Sequence, residues 1–542
     1  MARIVGLAQS ISHGDFLPNL NFLFTHGSGY AVPMFYGNAL LYIPAVAYLL
    51  TKIGTVAFTV YAFMIVFLTT LTSYYSLNKI TKNKKKSILF AMTVATALPY
   101  FGFGMSAVLP LIPFLIFCIY KVLYQNKLNP IPLGITIALL IQTHVISTVV
   151  LAISSAIIVT FQIKKLSLQK ILSFIYSVLV AILLSVGFIF QYLEQSRSQT
   201  FFVTWGLRDY PFPSQTILAP ENLLGVLKNY YFPLSLVFLI IGFLFFKYLT
   251  TFSRSLLFTS IVLLIGSSNI LPWQSFLRFT FLTVFQYTSR LTYFLPVFIL
   301  MALFISNFKY LQKIIAVVQI AVYLITNPLT FLPNNSPYKE KYGLSTTNIE
   351  VMRNQNSQAT NAYYNPTLFT YWSSGNEYFN LNINHKDVEQ GKINQFIFDS
   401  SQLEIKNIKQ SYNDLEFDVV LKKGINKARV ILPRIWYKGY FAEYSKNAQG
   451  TQPKILYKTL SNEEKKEYRS AHKPNVYKKA LYNGQGYIDI KQDGHVKINY
   501  RKTNVQLIGY LLEGTFWILL FCYVGFSRKR ENQVKKVSNY QL

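Results

Sequence analysis

Side chains suited to acid–base or phosphate chemistry are few outside one polar part of this sequence. Of its 22 Asp and Glu residues, 16 fall between Thr330 and Val505. The other six are Asp15, Glu194, Asp209, Glu221, Glu513 and Glu531. A carboxylate can accept a proton from a hydroxyl group, and an arginine can bind a phosphate through two parallel hydrogen bonds. Carboxylate chemistry among the apolar segments must therefore use one of these six residues.

Arg290 is the strongest candidate for binding a phosphate. It opens an apolar segment, where a guanidinium group can reach lipid phosphates, although the same position suits an arginine that only extends to the interface. His144 lies inside an apolar run, either as a functional ionisable residue or as a histidine that packs helices through a hydrogen bond. Arg197, Arg208 and Arg278 are weaker candidates, because each also suits a solvated loop.

The sequence gives no sign of a metal site or a disulfide. The six histidines lack the spacing of metal ligands and mostly lie in different segments. Cys118 and Cys522 each lie inside an apolar run, which is typical of inert thiols. We therefore predict that the protein uses no metal and no cofactor.

The composition is typical of a polytopic membrane protein. Of the 542 residues, 52% are hydrophobic and only 14% are charged. Eleven apolar segments of about spanning length cover residues 55–77, 87–104, 106–124, 131–143, 145–163, 171–191, 230–248, 255–271, 288–306, 312–329 and 506–526. The two segments beside His144 are short, and form either a helical hairpin or one bent span.

The basic residues predict the orientation of these segments. Most of the net charge of +30 flanks apolar segments or lies in one polar region, which favours membrane orientation over nucleic-acid binding. Placing the clusters at 82–86, 164–165 and 527–536 in the cytoplasm puts residues 330–505 outside. The same parity puts residues 14–37 outside. Residues 38–54 then either cross the membrane, lie in its interface, or follow a first helix that this chain lacks.

Residues 330–505 have a different character, being polar and rich in Asn and Lys. Alternating apolar residues in LEFDVVL (415–421) and KARVILP (427–433) predict strands. GYIDIKQDGHVKINY (486–500) predicts two strands joined by an Asp-Gly turn into a hairpin. We expect a small β-sandwich-like domain.

A family resemblance rests on the order of several elements. RIVGLAQSISHGDFLPNLNFLFTHGSGYAVPMFYGNALLYIPA resembles the first exterior loop of bacterial polytopic proteins described as 6-pyruvoyl-tetrahydropterin synthase-related, close to the YfhO-like family. The matching positions are Arg3, Gly14, Pro18, Gly29, Tyr30, Pro33, Phe35 and Tyr36. Residues 135–148, 271–294, 375–379 (GNEYF) and 432–444 resemble later elements of that family.

The resemblance implies the architecture of a C-type glycosyltransferase, which takes a sugar from a polyprenyl-phosphate carrier at the outer membrane face. Such chemistry needs a carboxylate and a cation at the outer face, for which Asp15 and Arg290 are the catalytic candidates of this sequence. The substrate-binding residues that the resemblance implies are Arg3, Tyr30, Tyr36, His144, Arg278 and Gln286. The family's acid precedes the arginine that matches Arg3, so it would lie upstream of Met1 with a first spanning helix. Asp15 is then a substitute, and it equally suits a helix-ending turn.

The fold predicted is thus an α-helical polytopic membrane protein, with a C-type glycosyltransferase-like bundle and an extracytoplasmic β-sandwich-like domain. Its parts are an exterior loop with amphipathic helices (1–54), about ten spanning helices (55–329), the β-rich domain (330–505), a last spanning helix (506–526) and a basic cytoplasmic tail (527–542).

The function predicted is transfer of a sugar from a polyprenyl-phosphate donor to a cell-envelope polymer or lipid, at the bacterial cell membrane. The alternative is a non-catalytic envelope protein that binds an anionic polymer or a lipid-linked precursor. Residues 330–505 carry 26 basic and 16 acidic side chains, a net charge of +10 that suits a polyanion.

Overall fold

The computed structural model is mostly helical and has a separate antiparallel sheet region. It describes the chain except residues 1, 99–102, 126–127, 200, 202–230, 269, 332–376, 456–483 and 540–542 and short gaps within 274–287, 381–390 and 445–453. The described α-helices are α1 Ala2–Ser12, α2 Val32–Phe35, α3 Tyr42–Thr51, α4 Gly54–Thr81, α5 Lys84–Ala97, α6 Phe103–Ala107, α7 Leu111–Tyr124, α8 Ile131–Thr143, α9 Val145–Phe161, α10 Leu168–Leu183, α11 Val186–Ser198, α12 Tyr231–Leu244, α13 Thr251–Ser267, α14 Leu295–Ile305, α15 Lys309–Phe331 and α16 Asn504–Asn539.

Each apolar segment predicted from the sequence contains a helix, but few of these helices have spanning length. Among the described residues, Val56–Thr81 of α4 and Asn504–Phe526 of α16 are long and apolar enough to cross a membrane. The pair α10 and α11, bent by 68°, would be a third span if it is one broken helix. The other apolar helical stretches have 10 to 17 residues, such as Tyr310–Ile325 within α15. Membrane crossing by the shorter helices stays a prediction.

Several helices begin where a side chain accepts a free backbone N–H group. Asn83 accepts from Lys86 at the start of α5, at 3.0 Å, and Thr250 accepts from Ser253 at the start of α13, at 3.1 Å. His144 ends α8 with an extended backbone and caps α9. The apolar run at 131–163 therefore contains two helices that meet at His144.

The helix α14 lies at the centre of the helical part. Its residues from Leu295 to Phe304 are all buried, and it packs against α5, α12 and α13. A helix that is apolar on all sides must be surrounded by other apolar groups. The segment that follows Arg290 is therefore held rigidly by its neighbours.

Residues 38–54 contain the 3-10 turn Ala39–Leu41 and the short helix α3 that follows it. At about 1.5 Å per residue its 10 residues span about 15 Å, half the hydrocarbon thickness of a bilayer. It buries Ala45 and Tyr48 and exposes Ile43 and Leu50. This one-sided pattern fits the predicted alternative of a helix in the membrane interface.

The sheet region contains two antiparallel sheets. Its strands are β1 Ile397–Phe398, β2 Leu403–Gln410, β3 Leu415–Leu421, β4 Ala428–Ile435, β5 Tyr440–Tyr444, β6 Asn447–Thr451, β7 Lys454–Ile455, β8 Gln485–Ile490 and β9 Gly494–Tyr500. One sheet has the order β1-β4-β8-β7, and the other has the order β2-β3-β9-β5-β6. Both contribute to one buried cluster, through residues such as Phe417, Val430 and Ile498. The strands predicted at 415–421 and 427–433 are confirmed as β3 and β4.

The hairpin predicted at Asp493 and Gly494 is wrong. The strand β8 pairs with β4, with Ile488 opposite Val430, whereas β9 pairs with β3. The alternate apolar residues of the two strands face one core from opposite sheets, so they do not pair with each other. Asp493 instead accepts the backbone N–H of Leu421 at 2.7 Å.

The first 54 residues share the core of the sheet region. Ile4, Phe24 and Met34 belong to the same buried cluster as Phe417 and Ile498. The helix α11 connects the first 54 residues and the sheet region to α16. Its Gln191 donates to the backbone of Met34, Gln195 donates to the backbone of Lys438, and Glu194 accepts from the Thr503 hydroxyl. These contacts set where the sheet region meets the helical part.

Candidate functional site

Arg3 holds a turn of the amino-terminal segment. Its Nη2 donates to the backbone carbonyls of Tyr36 at 3.3 Å and Gly37 at 3.1 Å, and to Oδ1 of Asn38 at 3.1 Å. Its guanidinium carbon lies 5.2 Å from the centre of the Tyr36 ring. Arg3 thus fixes the position of Tyr36, and it brings a positive charge to this place.

Tyr36 stacks on His144, with 5.5 Å between ring centres and 11° between planes. Nδ1 of His144 accepts the backbone N–H of Ser147 at 3.2 Å and lies 2.7 Å from the Ser147 hydroxyl. Because Nδ1 is an acceptor, the proton of the neutral ring is on Nε2. His144 can therefore donate a hydrogen bond from Nε2 to a ligand oxygen.

Arg290 lies in the short turn Thr288–Leu291 that leads into α14. The positive charges of Arg290 and Arg3 both interact electrostatically with the His144 ring and with Tyr36. Close by, the Tyr293 and Ser106 hydroxyls are 3.3 Å apart. Four residues proposed from the sequence, Arg3, Tyr36, His144 and Arg290, are thus brought together by the fold.

The segment that precedes the strands adds Glu377 and Tyr378 to this place. Tyr378 stacks on Phe35 at 4.4 Å and meets the edge of the Tyr36 ring at 5.6 Å. The Glu377 charge acts on both Tyr36 and Tyr378. Burial first, and Glu377 next, raise the pKa of Tyr36, so its hydroxyl stays protonated near neutral pH. We call Arg3, Tyr36, His144, Arg290, Glu377 and Tyr378 the site cluster.

Tyr30 lies behind Glu377. It is buried, its ring centre is 5.1 Å from that of Phe379, and its hydroxyl donates to the Glu377 backbone carbonyl at 3.0 Å. Tyr30 thus positions the backbone that carries the Glu377 carboxylate, and its part in substrate binding stays a prediction. GNEYF (375–379) resembles a family element, but its sequence context did not mark Glu377 as a site residue.

Asp15 lies elsewhere, in the turn that ends α1. The Asp15 N–H donates to the Ser10 carbonyl at 3.0 Å, and the Gly14 N–H donates to the Ile11 carbonyl at 3.0 Å, with Gly14 at φ +79°. These two bonds are the usual helix-ending pattern with a left-handed residue. This geometry fits the alternative of a turn.

The Asp15 carboxylate contacts the sheet region and not the site cluster. It lies 3.6 Å from the Lys502 ammonium, and the Tyr412 hydroxyl donates to it at 3.4 Å. Burial raises the pKa of the Asp15 carboxyl, and Lys502 partly offsets this. Asp15 therefore links the amino-terminal segment to the strands.

Two other carboxylates of the helical part have structural partners. Glu194 lies 3.1 Å from the Lys438 ammonium. Glu513 accepts the backbone N–H of Gly187 at 2.9 Å, at the positive amino-terminal end of α11, and the Gln142 side-chain amide at 2.8 Å. Glu194 thus joins α11 to the sheet region, and Glu513 joins α16 to α11 and α8.

The described structure places none of the remaining candidate residues in the site cluster. Arg278 and Gln286 lie outside the described residues, as do Arg208, Asp209 and Glu221. Arg197 lines a separate cleft of about 420 Å³ beside Leu193 and Lys438. In the described part of the chain, no three His, Cys, Asp or Glu side chains are grouped so that they could hold a metal ion.

No family model, curated protein or solved structure matches this chain. Inferences about its function therefore depend on the fold and the site cluster.

Proposed function

We propose that this protein is a membrane glycosyltransferase of the C type. It transfers a sugar from a polyprenyl-phosphate donor to a cell-envelope polymer or lipid at the outer face of the membrane. The observation that carries the proposal is the site cluster, in which two arginines, a histidine, two tyrosines and a carboxylate come from four distant parts of the chain. Such a set can bind a phosphate and also accept a proton.

The exposed surface of the helices supports the membrane part of the proposal. Large apolar side chains are exposed on α4, α12 and α16, with 67% of Phe63, 59% of Ile240 and 71% of Leu511 accessible. Soluble monomers rarely expose contiguous apolar surface on this scale, whereas a bilayer covers it at no cost. Lys84 and Lys85 lie exposed at one end of α4 and α5, where basic residues favour the cytoplasm.

Each residue of the site cluster has a role that its geometry allows. Arg290 binds the donor phosphate, and Nε2–H of His144 donates a hydrogen bond to it. The acceptor hydroxyl oxygen attacks the anomeric carbon, the bond from that carbon to the phosphate oxygen breaks, and the polyprenyl phosphate leaves with the electron pair. Glu377 accepts the acceptor's proton. Arg3 and Tyr378 position Tyr36, whose protonated hydroxyl remains a donor.

The proposal is tested by the sugar content of the cell envelope. Deleting the gene should remove one envelope sugar, measured by mass spectrometry after hydrolysis, and the wild-type gene should restore it. Glu377→Gln should lower transfer by about 100-fold to 10,000-fold, since general-base catalysis contributes that much. The matched control is Glu404→Gln, an exposed acid on β2 whose partner is Lys406 at 3.1 Å. It should restore the sugar fully.

Two results would count against the enzyme. The first is an unchanged envelope composition after deletion, under conditions where the gene is expressed. The second is full restoration by Glu377→Gln, which would remove the carboxylate from the mechanism. An unchanged envelope, together with salt-sensitive binding of the intact protein to an anionic envelope polymer, would favour the non-catalytic alternative.

A further inference from the structure

Arg434 of β4 is a buried cation with unused hydrogen-bond donors. Its side chain is among the largest fully buried ones, with 1% exposed. Nη1 donates to the Gly27 carbonyl, and the guanidinium carbon lies 5.5 Å from the centre of the Phe22 ring. Nε and Nη2 are buried and have no hydrogen-bond partner. Such a group is costly unless its donors are satisfied.

Two buried hydroxyl groups beside Arg434 also have no hydrogen-bond partner. They belong to Tyr440 of β5 and to Ser28. The charge of Arg434 acts on Tyr440. Ser28 follows the residue whose carbonyl Arg434 binds, and its own carbonyl accepts the Ile435 N–H at 3.0 Å. The unused donors therefore lie in the same small region between the amino-terminal segment and the strands.

Gly29 brings the turn and Tyr440 close together. A Cβ atom at this glycine would lie 2.9 Å from the Tyr440 hydroxyl oxygen and 3.2 Å from the Phe22 ring. The φ of +90° at Gly29 also favours glycine. This accounts for the glycine at position 29, which has no part in the site cluster.

Asp414 is the carboxylate whose charge reaches Arg434, but its oxygens have other partners. Lys497 lies 2.9 Å from Oδ2, and Asn499 donates to Oδ1 at 3.3 Å. No ion pair of Arg434 is found within the described part of the chain. Nε–H and Nη2–H can only donate, whereas each hydroxyl can rotate to donate or to accept. A buried cation with unused donors, next to two hydroxyls that can also donate, suits a small anion better than a neutral water molecule.

We propose that Arg434, Tyr440 and Ser28 bind one small anion of about the size of chloride. The anion neutralises the buried guanidinium group and joins the turn at 27–29 to β4 and β5. This inference does not depend on glycosyl transfer, because the anion site is built from residues outside the site cluster.

The experiment measures the unfolding midpoint of the purified full-length protein in detergent. Sodium chloride is compared with sodium gluconate at equal ionic strength, since gluconate is too large for the site. At a chloride concentration ten times the Kd, the ratio of folded to unfolded protein should rise about elevenfold. Arg434→Met should abolish this chloride-specific gain, and Tyr440→Phe should reduce it.

Tyr437→Phe is the matched control. Tyr437 is also fully buried, but its hydroxyl donates to the Tyr378 carbonyl at 2.9 Å. This variant should lose stability equally in both salts and keep the chloride-specific gain. If Arg434→Met does not fold, Tyr440→Phe and Ser28→Ala decide. Equal midpoints in both salts for the wild-type protein, or the same gain in Tyr440→Phe and Ser28→Ala as in Tyr437→Phe, would overturn the proposal.

Discussion

Replacing Gly104 by alanine tests the position of His144 without changing any polar group. Gly104 lies in α6, and a Cβ atom there would lie 2.5 Å from Cδ2 of His144 and 3.2 Å from Nε2. Carbon atoms in contact are about 3.5 to 4.0 Å apart, so the ring must move by about 1 Å. The Tyr36 ring stacks on this imidazole and limits the directions in which it can turn.

The expected effect follows from this displacement. A shift of about 1 Å in a group that positions the reacting atoms can lower the rate about 100-fold. The shift also disturbs the bond from the Ser147 N–H to Nδ1 that caps α9, and losing a cap costs about 1 kcal/mol. Gly104→Ala should therefore lose most transfer activity while the protein remains folded, which the envelope-sugar assay and the unfolding midpoint measure separately.

Gly514→Ala is the matched control for this substitution. Gly514 lies in α16, and a Cβ atom there would meet no other atom within 4 Å. This variant should keep full transfer. Gly104→Ala with wild-type transfer and a wild-type unfolding midpoint would show that the ring can move freely, and it would refute the assignment of His144 to the phosphate.

Two further predictions concern the structure around the site. Glu513→Gln should lower the free energy of unfolding by about 1 kcal/mol, because the negative charge at the amino-terminal end of α11 is lost; Glu404→Gln should leave it unchanged. In a Cys522→Ser background, Lys491→Cys in the exposed turn after β8 should react with an impermeant thiol reagent in intact cells, whereas Lys84→Cys should react only after lysis. The reverse pattern would invert the topology. Gly484 is unsuitable for labelling, since a Cβ atom there would lie 2.2 Å from Ile383.

The positions of helices and several strands were predictable because they depend on local residue patterns. An apolar run gives a helix at 131–143 with the same bounds as α8, and alternation gives β3 at 415–421. The segments that resemble the family also contain all six members of the site cluster, and four of these six were proposed as site residues. Backbone geometry and side-chain periodicity act over a few residues, so one sequence window contains the information.

Strand partners and the acid of the site cluster depend on contacts between distant residues. The Asp-Gly sequence at 493–494 is a local hairpin signal, but β8 and β9 bury their apolar residues in opposite sheets. Glu377 and Tyr36 are more than 300 residues apart in the chain, and no local sequence pattern near either residue predicts that they lie close together.

Asp15 also shows the difference between what the local sequence suggests and what tertiary contacts decide. Its sequence context suited either a catalytic carboxylate or a helix-ending turn, since both need only a short polar residue after a glycine. The contacts with Lys502 and Tyr412 exist only after the strands have packed on the amino-terminal segment. The sequence by itself determined the elements and most of the candidate side chains. Only the packing of those elements decided which carboxylate lies near Tyr36, because that depends on the shared core of the loop and the sheets.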